Sequence, residues 1–261
     1  MSKVYYSKSE DRIKFVDLII KEFKKELKGR IFIKPNIVSY EKYPTTTNLK
    51  LFEALIKALN SYELAVGDAS AVDCVGFSVN KSEIKKICDK YSIPMFNLYN
   101  NMKIIESRSG FKLKVAQEPL NYDTIISLPI LKVHGHCQMT GALKNAFGYL
   151  SKGERIKCHT KIKDINRTIA ELNTFFKPTL TIMDGIETLL KTNEIRHGGK
   201  QYHLGILCAS SDPVALDIYG LSILKNVEKK LRNKSPKDIK YIKLAIDLNV
   251  GNEDFELIEI C

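Results

Sequence analysis

The spacing of apolar residues alternates along the chain between helical and strand patterns, and this alternation predicts the order of the elements. Residues 11–28 have their apolar side chains at helical spacing on one face: Ile13, Val16, Ile19, Ile20, Phe23 and Leu27. The segment RIFIK (30–34) is rich in β-branched and aromatic residues and stops at Lys34-Pro35, which predicts a strand. YELAVGDAS (62–70) predicts a second strand for the same reason.

The rest of the chain continues these two patterns. Further helices are predicted from Thr46 or Thr47, either of which can cap the helix, to Leu59, and at about 82–91, 140–150, 162–176, 213–225 and 235–247. Further strands are predicted at 95–99, 124–128, 180–184, 203–210 and in the final FELIEI. We expect SKGERIKCHTK (151–161) to be an exposed, mobile loop and 188–202 to be a loop with a short turn.

Strands that alternate with helices are typical of an α/β fold. We therefore predict a mostly parallel sheet covered by helices on both faces, a Rossmann-like arrangement, in a single domain over residues 1–261. Residues 102–116 break the alternation, because two short strand patterns flank a Gly-containing turn. They predict a β-hairpin inserted into the domain at about 100–118, where it could serve as a flap.

Composition narrows the class of protein. No apolar run reaches the roughly 20 residues that a membrane helix needs, and the polar start MSKVYYSKSEDR lacks the apolar segment of a signal peptide. We therefore expect a soluble cytoplasmic protein with no membrane partner. The net charge is +11, but the lysines are spread over predicted helix faces with no aromatic-basic motif, so nucleic acid is not the expected partner.

The six cysteines are scattered and none forms a C-x-x-C pair. In a chain without a secretion signal such cysteines are mostly reduced core residues. The sequence has no motif for an iron–sulfur cluster.

Polar side chains gather where the predicted strands end. Ligands of parallel sheets bind at the carboxyl ends of the strands, so we expect one rim to collect a ligand-binding set: Lys34, Asn36, Asp68, Ser70, Asp184, Ser211 and Asp212. Asp68, Asp184 and Asp212 can equally serve as helix or turn caps, whereas Lys is not a preferred cap.

The stretch from Asp123 to Tyr149 carries the candidates for catalysis: Lys132, His134 and His136. Lys132 can meet a phosphate or carboxylate, or act as a base if burial lowers its pKa. His134 and His136 face the same side if the strand continues through them, which suits acid–base chemistry or a divalent metal. His159, with Cys137 and Cys158, could add metal ligands; the alternative is that the histidines are structural or on the surface.

Thr140 and Gly141 begin the helix that follows. Its free N–H groups and dipole favour an anion, and Lys144 lies one turn further on the same face. Asn145 can share that ligand or bond a neighbouring loop. Asp217, in the predicted 213–225 helix, can look into the cleft or complement the dipole of its own helix.

These motifs resemble the domain of unknown function 362 family. The similar segments are IKPNIV, VGDAS, LPILKVHGHCQMTGALKNAFGYL with a following KCHT, TIMDGIETL and GILCASSDPVALD. The resemblance implies a ferredoxin-type redox partner, since many relatives carry a ferredoxin-like segment or occur beside redox proteins. A weaker likeness to the N-terminal domain of nickel-pincer lactate racemases implies a cleft lined by a Pro-containing loop and a basic, His-containing segment.

Two hypotheses of function follow. The first is an enzyme that holds an anionic small molecule or cofactor and uses Lys and His for acid–base chemistry. The second is a non-enzymatic accessory protein that binds a metal, a cofactor or a redox partner through the same rim. Perturbed acidic and basic groups gather at active sites, which favours the enzyme.

Overall fold

A twisted sheet runs through the middle of the computed structural model, which describes residues 1–107 and 109–261. The strands are β1 (Ser2–Ser7), β2 (Ile31–Lys34), β3 (Leu64–Asp68), β4 (Met95–Asn97), β5 (Met102–Glu106), β6 (Lys112–Ala116), β7 (Thr124–Ser127), β8 (Lys132–His134), β9 (Gln138–Thr140), β10 (Leu180–Leu190), β11 (Lys200–Ser210) and β12 (Phe255–Glu259). The helices are α1 (Arg12–Glu22), α2 (Leu49–Ala58), α3 (Glu83–Lys90), α4 (Ala142–Asn145), α5 (Lys152–His159), α6 (Ile165–Phe175), α7 (Pro213–Leu224) and α8 (Lys240–Asp247).

Eight of these strands form the main sheet in the order β12-β1-β11-β10-β7-β2-β3-β4. The run from β10 to β4 is parallel throughout, and β1 is parallel to β12. Strand β11 is antiparallel to both of its neighbours. The predicted mostly parallel α/β fold is therefore confirmed. The hairpin predicted near 102–116 is present as β5 and β6, which pair antiparallel beside the main sheet.

Both faces of the sheet are covered, as a nearly all-apolar strand pattern requires. Along β2, Ile31 and Ile33 join one buried cluster with residues of α1, α2 and α3, whereas Phe32 joins the opposite cluster with residues of α6, α7 and α8. This alternation follows from the two-residue period of a strand. No helix in the described part of the chain is long and apolar enough to cross a membrane.

The structure corrects several predicted elements. The expected mobile loop 151–161 contains α5, which Ser151 caps by accepting from the N–H of Glu154. The expected loop 188–202 is largely strand, because β10 and β11 form a long antiparallel pair that ends in a tip at 191–199. Strand β1 was not predicted, since it is polar at both ends and is defined by pairing with β11 and β12.

Three boundaries differ as well. Helix α1 ends at Glu22, well before residue 28, and Asn48 rather than a threonine caps α2. The predicted helix 140–150 is a single turn, α4, followed by a 3-10 turn at Ala146–Tyr149. This turn packs closely on the sheet, because a Cβ on Gly148 would lie 2.4 Å from Cε of Lys34.

A carboxylate from α7 holds the start of α4. Asp217 accepts from the backbone N–H groups of Ala142 (2.6 Å) and Leu143 (3.2 Å). A Cβ on Gly141 would lie 2.2 Å from its Oδ1 atom, so only glycine fits there. The helix start at which Thr140 and Gly141 were expected to receive an external anion is therefore filled by the chain's own side chain. Asp217 caps this neighbouring helix, and does not complement the dipole of α7.

Burial raises the pKa of Asp217 to about 7, although the two N–H groups act in the opposite direction. Between the unfolded pKa near 4 and about 7 the folded chain therefore binds the extra proton. We expect the free energy of unfolding of the wild type, relative to Asp217→Asn, to fall as pH rises through this window, by on the order of 3 kcal/mol. Urea unfolding at several pH values between about 4 and 8 measures this difference. A difference that stays flat with pH for Asp217→Asn would contradict the cost of burying this carboxylate.

Candidate functional site

A cavity of about 490 Å³ opens at the carboxyl ends of β2 and β3. Its wall also includes the β8–β9 ribbon, α4, α5, the loop after β3 and the tip between β10 and β11. The lining includes many of the residues singled out from the sequence, namely Lys34, Asn36, Asp68, Lys132, His134, His136, Thr140, Lys144, Asn145 and His159. The volume suits a small molecule. The structure therefore brings these residues together at one edge, as expected for the strand ends of a parallel sheet.

Lys34 and Asp68 form a buried ion pair at the floor of the cavity. The Nζ–Oδ1 distance is 2.7 Å, and Lys34 also donates to the carbonyl of Pro35 at 2.8 Å. Asp68 accepts in addition from the N–H groups of Ile37 and Ala69. Burial lowers the pKa of Lys34, while the charge of Asp68 opposes that shift. These two charges offset each other, so the pair contributes little net charge to the cavity.

Lys132 lies at the start of β8 and is almost fully buried. Its ammonium donates to the carbonyl of Thr45 at 2.8 Å and has no carboxylate within ion-pair distance in the described part of the chain. Burial lowers the pKa of Lys132 to about 7, and the charge of Lys144 acts in the same direction, while Glu194 and Glu41 oppose it. Near neutral pH this side chain is therefore present both as an amine and as an ammonium.

Lys144 faces the cavity from α4. Within residues 1–107 and 109–261 its ammonium has no carboxylate within ion-pair distance, and it lies 4.9 Å from the centre of the Phe147 ring. Burial lowers the pKa of Lys144, and the charge of Arg155 contributes to that shift. An anion placed in the cavity would give this ammonium the partner that the fold does not supply.

The histidines do not share one strand, because β8 ends at His134 and the chain turns before β9. Nδ1 of His134 accepts from the backbone N–H groups of His136 (3.1 Å) and Cys137 (3.2 Å). In the neutral ring the proton is therefore assigned to Nε2. Burial holds the pKa of His134 well below its usual range. The fold thus holds His134 as a neutral hydrogen-bond donor, and this residue is not placed to act as a base.

His136 and His159 lie at the exposed mouth of the cavity, with their ring centres 6.1 Å apart. His159 also packs edge-on against Phe147. Burial lowers the pKa of His159, and the charge of Lys144 adds to this effect. These two imidazoles can contact whatever occupies the outer part of the cavity.

The donor set does not favour the divalent metal that the sequence left open as an alternative. Nδ1 of His134 is taken by backbone donors, so its Nε2 carries the proton and offers no lone pair to a metal. Burial raises the pKa of the thiols of Cys137 and Cys158, which disfavours thiolate ligands. Over the described residues, no group of three or more His, Cys, Asp or Glu side chains is arranged around a common point for a metal.

Asp184 and Asp212 are not among the residues that line the cavity, although both were expected at the rim. Asp184 forms a two-pronged ion pair with Arg12 and accepts from the hydroxyl of Tyr43 at 2.7 Å. Asp212 caps α7 through the N–H groups of Val214 and Ala215. Both carboxylates therefore bind other parts of the chain. For Asp212 this is the helix-capping role that the sequence offered as an alternative.

Asn145 lines the cavity but also performs a structural task. Its Nδ2 donates to the carbonyl of Lys34 at 3.2 Å and to Oγ of Ser127 at 2.9 Å. The side chain therefore ties α4 to the ends of β2 and β7. This contact corresponds to the loop-bonding alternative for Asn145.

Arg155 is the main lining residue that the sequence argument did not select. It lies on α5, is 5% exposed, and donates to the carbonyls of Ala69, Ser70 and Gly148. Its guanidinium also packs over the Tyr99 ring at 5.0 Å. In a Lys- and Gly-rich sequence segment, a buried arginine cannot be told from a solvated surface charge. The one signal of a buried face was the helical spacing of Glu154, Arg155 and Cys158.

The fold and the cavity thus define an α/β protein with a basic pocket at the carboxyl ends of its parallel strands. Residues 31–222 match the family model "Domain of unknown function (DUF362)". The match covers more than half of the chain, and the protein belongs to this family.

One relative is a thylakoid-associated protein of Synechocystis sp., which is 29% identical over 164 residues, or 61% of this chain and 50% of the relative. The chain thus aligns with about half the length of that relative. The lactate racemase apoprotein from Thermoanaerobacterium thermosaccharolyticum has a similar fold, with a TM-score of 0.51 and 13% identity over 87% of this chain and 58% of that chain. A Thermotoga maritima protein is more distant, with a TM-score of 0.43 and 12% identity over 91% of this chain and 59% of that chain.

Breaking the floor ion pair tests how far the cavity depends on it. Asp68→Asn leaves the Lys34 ammonium buried without a carboxylate and weakens the acceptor for two N–H groups. We expect a loss of about 3–5 kcal/mol in the free energy of unfolding, measured with urea. Glu83→Gln removes an exposed ion pair with Lys86 and should cost less than about 1 kcal/mol. Equal losses for the two variants would contradict the structural role of the buried pair.

Proposed function

We propose that the chain is an enzyme that binds a small anionic molecule, carrying a carboxylate or a phosphate, and acts on it by acid–base chemistry at Lys132. The observation that carries the proposal is the presence of two lysines, Lys132 and Lys144, that line one cavity with no carboxylate within ion-pair distance in the described part of the chain. Burying cations without partners is costly, and an anionic ligand offsets that cost.

The acidic residues of the lining already have cationic partners. Asp68 pairs with Lys34, and Asp73 and Glu194 share Arg196, which leaves one negative charge between them. Lys132, Lys144 and Arg155 outnumber that charge, so the lining is positive. The Nε2–H of His134 supplies a neutral donor beside them. Such a set of donors suits the oxygen atoms of a carboxylate or phosphate.

Lys132 is the best candidate for proton transfer. A base works best when its pKa is near the operating pH, and burial lowers the pKa of Lys132 to about 7. Lys144 and the His134 Nε2–H group would hold the anion, so that a C–H or O–H group of the ligand lies near Lys132. Asn36 and Thr140 also line the cavity and would contact neutral polar groups of the ligand.

An accessory protein that holds a metal finds less support in this geometry, since the histidine expected to bind the metal is fixed as a donor. A metal-holding accessory protein would also give the lowered pKa of Lys132 no functional role. An acid–base enzyme uses both features, which is why we favour it.

Anion binding is tested with sulfate, because sulfate does not titrate near neutral pH. We expect Lys144→Met to weaken sulfate binding at least about tenfold, since it removes the cation that lacks a partner. Isothermal titration calorimetry measures the affinity. Lys24→Met, an exposed lysine outside the cavity, is the matched control and should bind like the wild type. Equal affinities for the wild type and Lys144→Met would refute the anion site.

Acid–base chemistry is tested by proton exchange in heavy water. We expect the wild type to exchange a C–H group beside the ketone of at least one of pyruvate and dihydroxyacetone phosphate for deuterium faster than buffer alone, as followed by proton NMR. The rate should rise as pH increases through about 7, because the amine form of Lys132 is the base. Lys132→Met should abolish the exchange, whereas Lys24→Met should retain it. Exchange that persists in Lys132→Met would remove Lys132 from the mechanism.

A further inference from the structure

The tip between β10 and β11 crosses the mouth of the cavity. Residues 191–199 form this tip, here called the strap, and four of them line the cavity: Thr192, Asn193, Glu194 and His197. The strap follows β10, whereas the loop that faces it follows β3. In the sheet, β7 and β2 lie between these strands, so three strand spacings of roughly 14 Å in total separate the two elements.

One carboxylate connects the strap to the opposite loop. Asp73, in the loop after β3, accepts from Nη2 of Arg196 at 3.0 Å, and Nε2 of His197 lies 3.2 Å from its other oxygen. Both partners belong to the strap. The contact therefore spans the ends of β7 and β2.

The strap is anchored at its inner side and is weakly held at its outer side. On the inner side the N–H of Arg196 donates to Glu41 at 2.7 Å, and the N–H of Lys191 donates to Glu228 at 3.1 Å. The Asp73 side chain, in contrast, is 50% exposed. Exposed ion pairs contribute little stability, so this outer contact can open at little cost.

The ends of the strap have a backbone suited to a sharp return. Lys191 has φ of 70° and Gly198 has φ of 87°, both in the left-handed region. A Cβ on Gly199 would lie 2.7 Å from the carbonyl oxygen of Glu194, so the chain folds back closely on itself. The strap is therefore a compact turn with a defined start and end.

We propose that the strap is a gate over the cavity and that Asp73, held by Arg196 and His197, is the latch that releases when a ligand enters or leaves. The gate controls entry to the cavity. Only the kind of molecule that enters rests on the proposed function.

Access is measured without a ligand by placing a thiol inside. In an Asn36→Cys background, the rate at which N-ethylmaleimide labels residue 36 reports how often the cavity opens, and peptide mass spectrometry separates this label from any at the native cysteines. Adding Asp73→Asn should raise that rate by about threefold to fivefold, the change expected from losing an exposed ion pair. Asp247→Asn removes an equally exposed carboxylate from its pair with Lys243 and should leave the rate unchanged.

Thr140→Cys provides a second reporter inside the cavity if Asn36→Cys does not fold, and circular dichroism checks the fold of each variant. Unchanged labelling in the Asp73→Asn background would overturn the gate, as would an equal rise with Asp247→Asn. Sulfate titrations of the same proteins separate the two proposals. If sulfate fails to bind while Asp73→Asn still speeds labelling, the anion site is refuted and the gate stands.

Discussion

The buried ion pair between Lys34 and Asp68 is the interaction on which the site depends. It joins the carboxyl ends of two adjacent parallel strands, and its carboxylate also accepts from the N–H groups of Ile37 and Ala69 in the loops that follow them. Gly148 packs directly on the lysine, so the same pair sets how closely the turn after α4 approaches the sheet. Removing either partner would leave an uncompensated charge buried at the floor of the cavity.

The ion pairs of the lining decide which charges remain available in the cavity. Asp68 forms an ion pair with Lys34, and Asp73 and Glu194 both form ion pairs with Arg196. Lys132 and Lys144 consequently face the cavity without carboxylate partners in the described part of the chain, and burial lowers the pKa of both. These two cations are the observation on which the proposed anion site rests. The family match and the lactate racemase fold place this cavity on a known scaffold without assigning its chemistry.

Sequence reasoning selected the right edge of the sheet but could not sort the residues along it. Lys34 and Lys132 stood out because lysine is an unusual residue at a strand end, and both line the cavity. Asp184 looked equivalent from its position, yet it pairs with Arg12, which lies 172 residues away in the chain. Arg155 was missed because a buried arginine and a solvated one look alike in a Lys-rich segment. Its role depends on three carbonyls from two other loops.

The sequence by itself determined the order of most helices and strands, the parallel character of the sheet and the family, because apolar periodicity records directly which face of each element is buried. It also placed the candidate lysines and histidines near one edge. Only the tertiary structure decided which charges are neutralised, that Asp217 fills the start of α4, and that His134 is held as a donor. These outcomes depend on contacts between side chains and backbone groups brought together by the fold, and local spacing carries no information about such partners.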